Sequence, residues 1–362
     1  MTPPEEDACA VYETCISGIT DIDLLNRLRW LSFYIRIEAD RYMQHASDKK
    51  LYKILPNNCK NDDVVNGEVT KQELKDVYSI HMVGRSKAAR NIYDSLLSRA
   101  PLGICPFCGF GHADTLDHYL PKAKYPQLSV LPINLVPSCR VCNTGKSTSI
   151  ASTAAAQVLH PYFDHQNVIN DQWLFATVSM SSYPPTCVYF IKTPEHWDDI
   201  SKARIYSHFN DFKLASRFSI EAAKELANQK YSLDEFKRKH GIYALIDMLS
   251  DMAKSHYKNH VNSWQTAFYQ ALVDFNVEEV SELEKKTEIC PVCEGEGVFV
   301  NYPCPFCKGN RYITKREKSE IDISEYEYLK CVECSGSVRC HLCPGNGFIS
   351  RIKALQLTRN RP

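Results

Sequence analysis

The sequence predicts an α+β protein, mainly α, in which helical segments surround a cysteine-clamped core and lead into a small hairpin-rich cysteine module. Three observations carry this expectation. Apolar residues recur at i, i+3 and i+4 over long parts of residues 1–100 and 166–280, the period of an amphipathic helix. Of the 16 cysteines, all but Cys9, Cys15, Cys59 and Cys187 fall into Cys-x-x-Cys pairs. Two of those pairs bracket a stretch within residues 101–150 that loses the helical period and becomes dense in Cys, His, Pro and Asn.

At 362 residues the chain exceeds one typical core, so two or three domains are expected. A hydrophobic fraction of 44%, a charged fraction of 24% and a mean hydropathy of −0.34 belong to an ordinary globular protein. No run approaches the roughly 20 apolar residues of a membrane span. The acidic start MTPPEEDACAVYE lacks the charged and apolar regions of a secretory signal. A reducing, cytoplasmic location without a membrane partner is therefore expected, and there repeated Cys-x-x-Cys reads as thiolate metal binding rather than disulfides. Basic and acidic residues balance at 43 each, which argues neither for nor against nucleic acid. Their distribution says more, because Lys330, Arg339, Arg351, Lys353, Arg359 and Arg361 face only Glu333 toward the end of the chain. Residues 351–362 read as a basic tail able to contact phosphates.

Taken in order, Leu24, Leu28, Leu31, Ile35, Ala39 and Tyr42 form one helical stripe, with Thr20 and Asp23 as its start signal. Residues 55–69 read as loop, and Thr70-x-x-Glu73 as a capping box that opens a second helix. Gly84 breaks it, and Ala89, Ile92, Tyr93 and Leu96 continue on one face to Pro101. Trp173–Val178 and Thr186–Ile191 read as a strand pair around Pro184-Pro185. Ser232-x-x-Glu235 reads as another helix start, and Trp264, Phe268, Ala271, Leu272 and Phe275 as a core-facing stripe. The organisation is a helical region over 1–100, a core over 101–165, a mainly helical continuation over 166–280, a charged linker at 281–289, a cysteine module over 290–350 and the basic tail.

Within the core, Cys105-Pro-Phe-Cys108 and Cys139-Arg-Val-Cys142 are two knuckles with 30 residues between them. Four thiolates suit a closed tetrahedral zinc site, structural rather than catalytic. Between the knuckles stand Asp117-His118, Pro121-Lys122 and Asn134-Leu-Val-Pro137, and Asn143 and Lys146 follow the last thiolate. The text CPFCGFGHADTLDHYLPKAKYPQLSVLPINLVPSCRVCNTGK resembles the HNH (ββα-metal) endonuclease family over about residues 105–148. That resemblance implies a β-hairpin and short helix around one catalytic Mg²⁺ or Mn²⁺, clamped by the zinc knuckles. It makes His118 the general base, Asp117 and Asn143 the ligands of the catalytic ion, and Asn134 the residue that orients the base by hydrogen bonding. The third position of the family's motif is here Asn143 rather than His, and an amide oxygen beside a carboxylate favours a hard cation. Asp117-His118 alone is a common dipeptide; the surrounding frame gives it meaning. Lys146, His160 and Lys122 are candidates for substrate or metal contact, although each is also an ordinary structural or surface residue type.

The last module repeats Cys-x-x-Cys-x-Gly-x-Gly, with its cysteines at 290 and 293, 304 and 307, 331 and 334, and 340 and 343. The repeat resembles the cysteine-rich domain of DnaJ chaperones. The resemblance implies two structural zinc sites, one from Cys290, Cys293, Cys340 and Cys343, the other from Cys304, Cys307, Cys331 and Cys334. With the first site this makes about three zincs. No His-Pro-Asp of a J domain occurs, so stimulation of an Hsp70-type ATPase is not implied. No nucleotide-binding Gly-rich loop occurs either, since Arg140 stands where the first glycine before Gly145-Lys146-Ser147 would be.

The expected function is metal-dependent hydrolysis of phosphodiester bonds in DNA, which is favoured over RNA because the family that the core resembles mostly cuts DNA. A setting in microbial defence against phage or foreign DNA would fit, with a sensor ATPase or other protein recruited through the zinc module. The alternative is a zinc-stabilised adaptor for nucleic acid or protein whose HNH site is silent. A redox or chaperone role for the Cys-x-x-Cys pairs is a weaker third.

Overall fold

A computed structural model describes the chain except residues 147–149, 165, 180–185, 301, 331–342, 344–346 and 361–362. It divides into two compact units, the first made of residues 1–173 and 191–218, the second of 174–190 and 219–362. The expected 166–280 continuation is thus shared between the units.

The first unit opens with α1 (Ala8–Ile16), α2 (Ile22–Trp30) and α3 (Ser32–Ser47). Asp21 caps α2 by accepting from Leu24 N, so the start lies one residue beyond Thr20, with Asp23 inside the first turn. Within the expected loop, β1 (Val64–Asn66) and β2 (Val69–Thr70) form a short hairpin that turns through Gly67 at φ +54°. The Thr70–Glu73 capping box opens α4 (Lys71–Asp76) as expected, and the helix widens into a π turn over Val77–Met82 before Gly84. α5 (Arg90–Ser98) presents Tyr93 and Leu96 inward. β3 (Thr115–His118) and β4 (Leu135–Ser138) pair antiparallel, Thr115 opposite Ser138 and His118 opposite Leu135. α6 (Arg140–Lys146) follows at once, then α7 (Gln166–Asn170).

One hydrophobic cluster holds this unit together. It joins Val11, Tyr12, Leu28, Ile35, Leu74, Val77 and Leu96 of the helices to Leu116, Val130 and Leu135 of the hairpin region. The helical region 1–100 is therefore not a separate domain from the hairpin, because burying apolar area drives both into one core.

In the second unit β5 (Leu174–Ser179) pairs with β6 (Thr186–Ile191), as expected. α8 (Asp199–Asp211) belongs to the first unit, and α9 (Leu214–Asn259) runs on through Ser232, where a helix start was expected. Its break comes instead at Gly241, with φ +84°, where a Cβ would stand 3.1 Å from the Gly309 carbonyl oxygen. α10 (Trp264–Lys286) is capped by Ser263 and buries Trp264, Phe268 and Leu272. Residues 281–289 are no linker: they finish α10 and form β7 (Thr287–Ile289). The module continues with β8 (Val298–Phe299), β9 (Tyr302–Pro303), β10 (Tyr312–Thr314), α11 (Lys315–Glu320), β11 (Tyr328–Lys330), β12 (Phe348–Ser350) and α12 (Arg351–Arg359). The expected basic tail is this last helix. Arg351 donates to the carbonyls of Pro291 and Val292, and Arg359 pairs with Glu294 and Glu296. These arginines are held within the module. Among the described residues no helix is long and apolar enough to cross a membrane.

Candidate functional site

The first cysteine cluster sets the frame. The Sγ atoms of Cys105, Cys108, Cys139 and Cys142 lie within 4.8 Å of one another and are buried. A tetrahedral zinc with Zn–S bonds near 2.3 Å spaces its sulfurs by about 3.8 Å, and Cys108 Sγ and Cys139 Sγ are 3.9 Å apart. The four cysteines fit zinc. The first knuckle folds back on itself through Cys105 N–H to Gly111 O, and Gly111 N–H donates to Cys108 Sγ at 3.4 Å. The position accepts only glycine comfortably, since a Cβ would stand 3.0 Å from Cys139 Sγ. The second knuckle spans the end of β4 and the first turn of α6, so one ion would tie strand, helix and loop together. From α9, the Arg217 guanidinium donates to Cys142 Sγ at 3.2 Å and lies 3.8 Å from Cys139 Sγ. A cation there offsets the charge of a four-thiolate site.

Between the knuckles the pleat of β3 sorts the side chains, because successive residues face opposite ways. Thr115 and Asp117 face α6. Asn143 Nδ2 donates to Thr115 Oγ1 at 3.1 Å, which turns its amide oxygen the other way. One turn on, Lys146 Nζ donates to Asp117 Oδ2 at 3.2 Å, to His118 O at 3.0 Å and to Tyr119 O at 2.6 Å. Both Asp117 and Lys146 side chains are only 8% exposed. Burial raises the Asp117 carboxyl despite the lysine, and burial lowers the Lys146 ammonium despite the carboxylate.

Leu116 and His118 face the other way, toward the π turn. The Tyr78 ring meets the imidazole edge-on at 4.4 Å, and Tyr78 Oη donates to Leu116 O at 3.3 Å. His118 Nε2 lies 2.8 Å from the Ser129 carbonyl oxygen. A carbonyl only accepts, so Nε2 carries the proton and Nδ1 the lone pair. Burial, reinforced by Lys122, pushes the imidazole down to about 3, which keeps it neutral at ordinary pH. Ser129 is itself fixed, its Oγ donating to Leu74 O at 2.8 Å.

The structure places several of the expected site residues in other contacts. Asn134 does not hydrogen-bond the imidazole; its side chain holds Leu120 N–H, Leu120 O and Leu128 O, fastening the loop that carries Ser129. His160 offers no lone pair to a metal or substrate. Its Nδ1 accepts from Tyr162 N–H, its Nε2 lies 2.9 Å from Tyr42 Oη, and its ring stacks on Tyr119 at 4.1 Å. Lys122 is half-buried, donates to Ser79 Oγ and sits 4.6 Å over the Tyr78 ring. Lys146 is enclosed against Asp117 rather than presented to a phosphate. Ser129, Tyr78, Gly111 and Arg217 were missed. The only local signal for any of them was a glycine near a knuckle; Ser129 stands 11 residues from His118 in the loop between the strands, and Tyr78 and Arg217 come from segments distant in sequence.

The second cluster also departs from expectation. Cys290 and Cys293 gather with Cys304 and Cys307, again within 4.8 Å, where Cys340 and Cys343 were the expected partners. The separations Cys290–Cys304 at 4.0 Å and Cys293–Cys307 at 3.6 Å fit tetrahedral zinc. The reason is local: the β8–β9 hairpin joins these two knuckles, and β7 pairs with β10 outside them. The left-handed backbone that the repeat's last glycine allows is present at Gly297, φ +76°, and is kept at φ +65° by Arg311, which replaces glycine in the second unit. Cys331, Cys334 and Cys340 lie outside the described residues; Cys343 is buried in the module core.

Over 223 residues the chain is 34% identical to the protein named ea31 of Escherichia phage lambda, a match covering 58% of this chain and 75% of that protein. Over 80 residues it is 32% identical to the J domain-containing protein APJ1 of Saccharomyces cerevisiae, which is 20% of this chain and 15% of that protein. No family profile and no solved structure matches. The yeast match and the two four-cysteine clusters together fit a DnaJ-type zinc module.

Proposed function

The chain belongs to the family of protein ea31 of phage lambda, and for it we propose a nuclease function. That name carries no activity, so the reading rests on residues. The chain is proposed to be an HNH-type endonuclease hydrolysing phosphodiester bonds in DNA. The observation that carries it is the fixed tautomer of His118, neutral and with Nδ1 as its acceptor, at the end of a strand whose neighbouring residue offers a carboxylate. The Nδ1 lone pair is the atom that would accept a proton, but the burial that keeps the ring neutral also weakens it as a base, so the role requires an anionic phosphate beside it to raise its basicity.

Asp117 and Asn143 fit a hard divalent cation by donor chemistry, a carboxylate and an amide oxygen on the α6 side of β3. With Oδ2 held by Lys146, Asp117 would offer Oδ1. A bound Mg²⁺ or Mn²⁺ would stabilise the charge developing on the phosphate and the leaving oxygen. His118 closes β3, so a phosphate placed across the strand end would meet both faces. Ser129 and Tyr78 would hold the base, and the zinc clamp would hold the hairpin to α6. A role in defence against foreign DNA beside a partner such as a sensor ATPase belongs to the same proposal.

One observation favours the adaptor reading: Lys146 already neutralises Asp117, and both are buried. The test is cleavage of supercoiled plasmid by wild type and His118→Ala with Mg²⁺, Mn²⁺ or EDTA. Metal-dependent cleavage, lowered by about 10² or more in the variant with zinc content unchanged, supports the enzyme. Equal activity in both proteins sinks the assignment of the base, and no activity with any cation favours the adaptor.

A further inference from the structure

The helices before the candidate site carry a second apolar stripe that the core does not use. α2 ends and α3 begins at Leu31 (φ −83°, ψ −7°), and both helices turn apolar residues inward. Their inner stripe of Leu28, Leu31, Ile35 and Tyr42 is buried. On the outer side Ile22 is 73% exposed, Trp30 87%, Phe33 73% and Ile37 47%. Ile22 and Trp30 lie on the outer side of α2, and Phe33 and Ile37, about one turn apart, on the outer side of α3. Large exposed apolar stripes of this kind mark interaction surfaces.

Charge selects the occupant. Arg29 and Arg36 lie a heptad apart along one edge of the stripe, and neither forms a salt bridge among the described residues. Arg36 Nε rests on Cys9 Sγ at 3.4 Å, which holds its guanidinium near the edge. A second copy of this chain packed antiparallel across a two-fold axis would set this arginine edge against itself, and like charges oppose that arrangement; a parallel pair is left to the sedimentation arm of the test. Single-stranded nucleic acid would stack on aromatic faces, but Ile22 and Ile37 have none to offer. An amphipathic helix with carboxylates on its flank satisfies both the aliphatic members and the arginines.

We propose that the Ile22–Trp30–Phe33–Ile37 stripe docks an amphipathic helix of another protein, with acidic residues a heptad apart facing Arg29 and Arg36. The surface lies on the outer face of α2 and α3, so the proposal stands whether or not the candidate site is catalytic.

The full-length chain reports on this surface by itself, because Trp30 is exposed while Trp173, Trp197 and Trp264 are each no more than 8% exposed. The probes are a three-heptad peptide with Leu at a and d and Glu at e and g, and a twin with Lys in place of Glu. The Glu peptide is expected to shift Trp30 emission to the blue, to shield it from acrylamide, and to bind roughly tenfold tighter than the Lys twin. Phe33→Glu abolishes this binding, and Arg29→Glu with Arg36→Glu inverts the preference; all three side chains are exposed, so the fold is retained. Equal affinity for the two peptides, no binding of either, or indifference to Phe33→Glu overturns the proposal. So does shielding of Trp30 by single-stranded DNA in place of the peptide, or a dimer in sedimentation that Phe33→Glu dissolves.

Discussion

Replacing Lys146 with methionine isolates the most consequential contact in the candidate site. The ammonium uses its three N–H groups on Asp117 Oδ2, His118 O and Tyr119 O. Methionine fills most of the same volume and donates nothing. The Asp117 carboxylate is then left buried without its partner, and breaking a buried pair from one side costs about 3–5 kcal/mol. The side chains are 8% exposed, so solvent screening takes little from that figure. For a domain of this size, about 2–4 °C is lost per kcal/mol, so the melting temperature of the first unit falls on the order of 10 °C. If Asp117 is also a ligand for a hard cation, Mg²⁺ can replace the missing charge. A hundredfold excess of Mg²⁺ over its dissociation constant would then restore about 2.7 kcal/mol. Differential scanning calorimetry of wild type and Lys146→Met, with Mg²⁺ or EDTA, reads both effects. An unchanged melting temperature would refute the buried-pair argument. A destabilised variant that ignores Mg²⁺ and Mn²⁺ would remove Asp117 from the list of cation ligands and strengthen the adaptor reading.

Gly111→Ala brings a Cβ to 3.0 Å from Cys139 Sγ, and elemental analysis should find about one zinc fewer per chain with the first unit destabilised. Cys304→Ser should remove the same zinc as Cys290→Ser, so the double variant loses no more metal than either alone; additive loss would restore the pairing of Cys290 with Cys340. His208 is buried and donates to Phe107 O, and burial pushes it down to about 4 from its ordinary 6.5. A depressed folded-state value means the unfolded chain binds the proton first, so stability present above pH 6.5 is lost as pH falls toward 4. Urea melts at pH 7.5 and 5 should show that loss, and His208→Phe should flatten the slope while lowering overall stability.

Local patterns were legible wherever one short segment determined the outcome. The Thr70–Glu73 box opened its helix because both partners lie within one turn. The strand pair flanking Pro184-Pro185 followed from short β-rich runs, and the Cys105–Cys142 clamp from two knuckles. Expectations failed where propensity met long-range packing. Ser232-x-x-Glu235 carries a start signal, yet α9 runs through it and breaks at Gly241, where φ is +84° and the Gly309 backbone approaches closely. The charged run 281–289 looked like a linker, but β7 finds its partner in β10, more than twenty residues later.

The sequence by itself determined which chemistry this protein carries: thiolates in pairs, a carboxylate beside an imidazole, an asparagine and a lysine on the helix that follows. Those are properties of residue type and short spacing. Only the tertiary structure decided which atoms those groups face. The pleat of β3 sends Asp117 toward Lys146 and His118 toward Tyr78 and Ser129. Contacts between residues 11 to 118 positions apart made Ser129 the holder of the imidazole, turned Asn134 to the loop, drew His160 into the core and joined the first knuckle of the last module to the second. Each outcome is set by burial of apolar area and by the need of every enclosed polar atom for a partner, and neither requirement is confined to a window of neighbouring residues.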